Sequence, residues 1–101
     1  MPRRAHAPIH PGEVLEKEFL EPLELTPGRL AKDLKVPPRR ILEIIHGNRG
    51  ISADTALRLA RYLGTSDEFW LSLQMHHDLE VERERLGARL RKEVPVLRRA
   101  D

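Results

Sequence analysis

The stretch Thr26-Pro27-Gly28-Arg29-Leu30-Ala31-Lys32-Asp33-Leu34-Lys35-Val36-Pro37-Pro38-Arg39-Arg40-Ile41-Leu42-Glu43-Ile44-Ile45-His46 decides how this chain folds. Thr26 before Pro27 reads as an N-cap followed by the residue best suited to a first helical position, since the N–H that proline lacks would be unpaired there anyway. Leu30, Ala31 and Leu34 form a short apolar stripe behind that start, and the helix ends by Leu34. Lys35 and Val36 make a turn. Pro37 and Pro38 force the chain out of helix and then begin a new one, because a residue preceding proline avoids the α region. Ile41, Ile44 and Ile45 point inward from this second helix, which stops at Gly47, and residues 46–50 form a further turn.

Working outward, a helix is expected to start after His10, with Pro11 at its first position and Glu13 near its positive end. Leu15 and Phe19 share one face, and Pro22 ends the helix or closely follows its end. On the other side, Ser52 caps a helix with Ala56, Leu59, Ala60 and Leu63 inward and Gly64 closing it. Ser66 caps a fifth helix, with Asp67 and Glu68 in its first turn and Phe69, Trp70 and Leu73 as its strongest apolar group, serving as core or dimer contacts. Beyond Gln74 that helix becomes polar. Glu80/Arg83 and Glu82/Arg85 have ion-pair spacing, and only Leu79, Leu86 and Leu90 offer a thin stripe. The reading is all-α: five helices of a helix-turn-helix domain over residues 10–75, a flexible arm over 1–9, and an extension of the last helix with a short tail over 76–101.

Composition agrees with a small helical protein. Of 101 residues, 34% are charged and 40% hydrophobic, with two Phe, one Trp and one Tyr as the aromatics. One domain of this size buries a thin core, so dimerisation is a natural supplement. Cysteine is absent, which removes disulfides, thiolate metal sites and Cys nucleophiles. No run approaches the roughly 18 apolar residues of a membrane span and the first ten residues lack the apolar core of a signal peptide, so a cytoplasmic location is expected. The five histidines do not assemble a metal site: His6 and His10 are four apart and His76 and His77 adjacent, but no Cys or well-spaced carboxylate completes a set. There is no nucleophile elbow and no Gly-rich phosphate loop, and no carboxylate pair sits in an evident pocket, so no catalytic residue or cofactor is expected and the chain is not read as an enzyme.

Charge is the informative quantity. The net charge is only +2, yet between Thr26 and Arg49 the bases Arg29, Lys32, Lys35, Arg39, Arg40 and Arg49 face two acids, Asp33 and Glu43, a net of +4 that leaves −2 for the rest. A basic second helix after a tight turn is the arrangement that enters the major groove of DNA. With its isoleucines inward, Arg39, Arg40, Glu43 and His46 are expected to face outward. Arginine bonds guanine O6 and N7 and glutamate accepts from cytosine N4, each such contact discriminating by about 1–3 kcal/mol. Glu43 either does this or pairs with Arg39 or Arg40 and orients them. Thr26, Arg29, Lys35, Asn48 and Arg49 are candidates for holding the DNA backbone.

The runs Ile9-His10-Pro11-Gly12-Glu13, Leu30-Ala31 through Val36, Arg49-Gly50-Ile51-Ser52-Ala53-Asp54-Thr55-Ala56-Leu57-Arg58-Leu59-Ala60, Gly64-Thr65 and Glu68-Phe69-Trp70-Leu71 together closely resemble the HigA-type antitoxins. These are XRE-group, Cro/repressor-like helix-turn-helix proteins. The resemblance covers roughly residues 10–74. It implies a five-helix fold, a homodimer, binding of double-stranded operator DNA before its own operon, and neutralisation of a HigB-type toxin, a ribosome-dependent mRNA endonuclease. The chain departs from the group's pattern at Pro27, often Gln there, and at Pro37 and Pro38, often small polar residues. Proline supplies neither backbone N–H nor polar side chain, so recognition is expected to lean on Arg39 and Arg40. Two other readings fit the same residues: an orphan regulator without a toxin, and a protein-interaction module whose helix-turn-helix is vestigial.

Overall fold

The computed structural model describes residues 7–98. Residues 1–6, with Arg3, Arg4 and His6 of the expected arm, and residues 99–101, with Arg99, lie outside the described residues. The elements in chain order are α1 (residues 11–23), α2 (Pro27–Leu34), α3 (Pro38–Ile45), α4 (Ala53–Leu63), α5 (Asp67–Leu86) and α6 (Arg89–Glu93). The five expected helices stand at their expected places. The extension of the last helix is divided in two by Gly87, whose backbone (φ 53, ψ −136) is a conformation that glycine alone adopts cheaply.

Helix α1 shows how packing rewrites a local reading. It runs α-helical over Pro11–Val14, π-helical over Leu15–Leu20 and α-helical again over Glu21–Leu23, so it carries Pro22 inside its last turn rather than ending before it. The Glu21 N–H donates to Glu16 O, five residues back. Leu15 and Leu20 are both buried. On an α-helix a five-residue spacing separates side chains by about 140°, whereas a π turn returns them to nearly one face. Periodicity at 3.6 therefore pairs Leu15 with Phe19 and overlooks Leu20; in the fold Leu20 is core and Phe19 is partly buried against it.

The starts of α2, α4 and α5 are capped as their sequences ask. The side chains of Thr26, Ser52 and Ser66 accept from the backbone N–H groups of Arg29, Thr55 and Phe69. The ends of α1, α2 and α3 share one closing motif. Leu25, Val36 and Asn48 donate to carbonyls five residues back, at Leu20, Ala31 and Glu43, through a left-handed residue at 24, 35 and 47. Two of those left-handed residues are Glu24 (φ 52) and Lys35 (φ 62), not glycine. Burial of Val36 and partial burial of Leu25 against the core offset the cost of that backbone.

Helices α2 and α3 pack on each other, α4 packs on α5 and on α2, and α1 bridges α3 and α5. The core is Leu15, Leu20, Leu30, Ala31, Leu34, Val36, Ile41, Ile44, Ile51, Ala56, Leu59, Ala60 and Trp70. Trp70, fully buried, donates its indole N–H to Thr65 Oγ1 at 3.0 Å, and Phe69 and Leu73 lie half-buried beside it. Of the two roles open to this group, Trp70 takes the core one. One contact fixes α3 against α1: a Cβ on Gly12 would lie 1.8 Å from the Ile44 carbonyl oxygen, so only glycine permits this approach. His10 starts α1 by accepting the Gly12 N–H on Nδ1 at 2.9 Å.

Candidate nucleic-acid interface

Helix α3 has Pro37 as its extended N-cap residue and Pro38 at its first position. Ile41 and Ile44 are fully buried and Ile45 partly, which turns Arg39, Glu43 and His46 away from the body. The Arg39 side chain is 87% exposed and that of Arg40 only 32%. Arg40 thus sits on the flank of the helix rather than beside Arg39, and its Nη1 is 3.8 Å from Asp54 Oδ1 on α4. The outward row also carries Leu42, 43% exposed, which the sequence reading passed over. An apolar residue there is the type that contacts a thymine methyl.

Glu43 occupies the centre of this face. Its Oε1 accepts from Arg49 Nε at 2.8 Å and its Oε2 lies 3.2 Å from Arg39 Nε. Both oxygens are engaged, so of the two roles left open by the sequence the geometry displays the orienting one. The hydrogen bond from Arg49, then the charges of Arg49 and Arg39, hold its carboxyl below the usual carboxylate range. Asn48 and Arg49 follow the turn at Gly47, and the Asn48 N–H donates to Glu43 O at 2.8 Å, so the loop is tied to the helix by backbone and side chain alike.

The loop is also held from below. Gln74 Oε1 on α5 accepts the Ile51 N–H at 2.7 Å, and Gly50 lies so close that a Cβ would come 3.0 Å from the Gln74 amide nitrogen. A pairing 23 residues apart leaves no sequence signal.

Lys35, Val36, Pro37, Arg40, Arg49, Gly50, Ser52, Asp54 and Arg58 enclose a concavity of about 440 Å³ beside α3. Four of these are cations and one an acid. Arg58 bonds Asp54 Oδ1 at 2.7 Å and donates to the Leu34 carbonyl at 2.8 Å, placing a cation at the negative end of α2. Sequence reasoning named Lys35, Arg40 and Arg49 here but missed Arg58 and Asp54, which come from α4. Their four-residue spacing is a pairing signal, but which face it decorates depends on how α4 packs.

Thr26 and Arg29 stand apart from this group, at the opposite end of α2 from Lys35. Arg29 Nε donates to Asp33 Oδ2 at 2.7 Å, and the Tyr62 hydroxyl of α4 donates to the same oxygen. The tyrosine hydrogen bond, then that of Arg29, lowers the Asp33 carboxyl, and the same contact raises Tyr62. The expected nine residues thus divide into an outward row (Arg39, Glu43, His46), its loop (Asn48, Arg49), a concave flank (Lys35, Arg40) and the α2 start (Thr26, Arg29).

A family model described as helix-turn-helix matches residues 17–70. Virulence-associated protein I of Dichelobacter nodosus is 52% identical over 73 residues, 72% of this chain and 68% of that protein. An addiction-module antidote protein of the HigA family from Coxiella burnetii superposes with TM-score 0.86 at 42% identity, over 91% of this chain and 100% of that one. The antitoxin HigA of Pseudomonas aeruginosa, solved with the higBA promoter, superposes with TM-score 0.85 at 43% identity, over 89% of this chain and 99% of that one. With the paired helices, the Gly12 contact and the basic outward face already in place, the chain belongs to the XRE-type helix-turn-helix family and, within it, to the HigA-type antitoxins.

Proposed function

We propose that this protein is a cytoplasmic, non-enzymatic antitoxin that binds the operator before its own operon as a two-fold dimer, represses it, and neutralises a HigB-type toxin. The observation that carries the DNA reading is α3 itself: a helix locked to the core by Ile41, Ile44 and the Gly12 contact, presenting Arg39 almost wholly to solvent. Support for the operator comes from the Pseudomonas aeruginosa HigA, solved with promoter DNA at 43% identity. In this reading Arg39 and Arg40 contact bases, Glu43 orients Arg39 and Arg49, and His46 lines the same groove face. Thr26, Arg29, Lys35, Asn48 and Arg49 hold phosphates. A two-fold dimer reads half-sites about 34 Å apart.

Exposed ion pairs contribute only about 0–1 kcal/mol, so Arg39 can exchange Glu43 for a guanine edge at small cost. Titration of the full chain against a duplex from its own promoter should give a log-log salt slope of about −6, for three or four phosphates held by each protomer. Replacing Arg39 and Arg40 together by alanine should weaken promoter binding about a hundredfold or more, with the helical circular dichroism unchanged. Promoter affinity retained by that double variant would sink the assignment. Co-expression with the neighbouring reading frame tests the toxin: a stable complex with a short basic protein is the expected result, and its absence favours an orphan regulator.

A further inference from the structure

Four arginines of this face are tied in pairs to two carboxylates. Glu43 holds Arg49 at 2.8 Å and Arg39 at 3.2 Å. Asp54 holds Arg58 at 2.7 Å and lies 3.8 Å from Arg40. Neither acid is part of the core, their side chains being 31% and 59% exposed, and exposed pairs of this kind add little to stability. A surface that meets a polyanion nevertheless sets two negative charges among its cations.

That arrangement has a cost and a use. Affinity for duplex without base contacts comes from neutralised phosphates and released counterions. Each fixed negative charge within about 8 Å, the screening length at physiological salt, lowers it. Base contacts and closely fitted phosphates can replace a carboxylate as an arginine's partner, whereas a loosely held, hydrated backbone cannot.

Resting on the operator-binding reading above, we propose that Glu43 and Asp54 are specificity-determining residues that act through the arginines. As internal counter-ions they hold Arg39, Arg49, Arg40 and Arg58 in the free protein and suppress binding to non-operator duplex, releasing them only where the operator supplies better partners. The two acids differ in one respect. Glu43, on the outward face of α3, can itself accept from a cytosine amine; Asp54, on α4 at the concavity wall, is a counter-ion only. The low-lying Glu43 carboxyl keeps that charge in place at neutral pH.

The test uses Glu43→Gln and Asp54→Asn in the full chain, which keep shape and remove charge. Each is titrated against a promoter duplex and a shuffled duplex of equal length and composition, between about 0.1 and 0.3 M salt. For both variants, shuffled-duplex affinity should rise about three- to tenfold and its salt slope steepen by about two, one for each protomer of the dimer, while promoter affinity gains less, so that the ratio of the two falls. Glu43→Asp, which keeps the charge and shortens the reach, should bind the shuffled duplex as the wild type does. Equal tightening on both duplexes, or unchanged shuffled affinity, overturns the proposal while leaving operator binding intact. A wild type that does not distinguish the duplexes overturns the operator reading, and this inference with it.

Discussion

On its inner side α3 meets the body through Ile41 and Ile44, both fully buried, and through the Ile44 carbonyl pressed against Gly12. Among the described residues, the side chains of its outer side are held by solvent-facing pairs: Arg39 with Glu43, and Glu43 with Arg49. The inner contacts exclude water and resist displacement; the outer ones trade easily with solvent or with a ligand. A recognition helix needs both, a position fixed by packing and side chains free to change partners.

Mutations on the two sides should therefore fail differently. Ile44→Ala leaves a cavity under the helix and should cost about 2–5 kcal/mol of stability by denaturant unfolding. Arg39→Ala should leave the unfolding midpoint essentially unchanged and lose promoter affinity. A comparable loss of stability from Arg39→Ala would break the comparison.

Gly12→Ala tests whether the inner side reaches as far as α1. Its Cβ would meet backbone, not a movable side chain, so a destabilisation of about 1–3 kcal/mol is expected, with α3 displaced outward and promoter binding weakened as well. A variant as stable as the wild type would mean that the α1–α3 contact is slack.

The smallest effect is one of pH. Burial, then the charge of His77, lowers the pKa of His10, with Asp78 opposing. The neutral ring also accepts the Gly12 N–H that starts α1. Because the folded pKa lies below that of the unfolded chain, the unfolded state takes up the proton first, and stability is lost as pH falls through about 6.5. Protonation of Nδ1 also removes the cap that starts α1, a contact of a kind worth about 1 kcal/mol. His10→Asn keeps an acceptor without a titration and should flatten the decline measured between pH 7.5 and pH 5.5; an equally steep decline in that variant would assign the effect elsewhere.

Much of this architecture was written in local signals. Thr26, Ser52 and Ser66 cap the helices that they announce, Pro38 starts α3, and the isoleucine spacing gives its buried face. These signals are short-range because a cap or a helical stripe involves residues three or four apart. Arg39, Glu43 and His46 follow from the same spacing by elimination.

What the sequence by itself determined, then, is which segments are helical, where most of them begin, and which way α3 faces. The tertiary structure alone decided the rest. It made Leu20 core through a π stretch, gave Glu24 and Lys35 left-handed backbones where glycine would be expected, and turned Arg40 toward Asp54. It also brought Gln74 under the loop at Ile51 and Gly12 against Ile44. Each joins residues distant in the chain or trades local strain for burial, and a period read along one helix carries no information about what packs across from it.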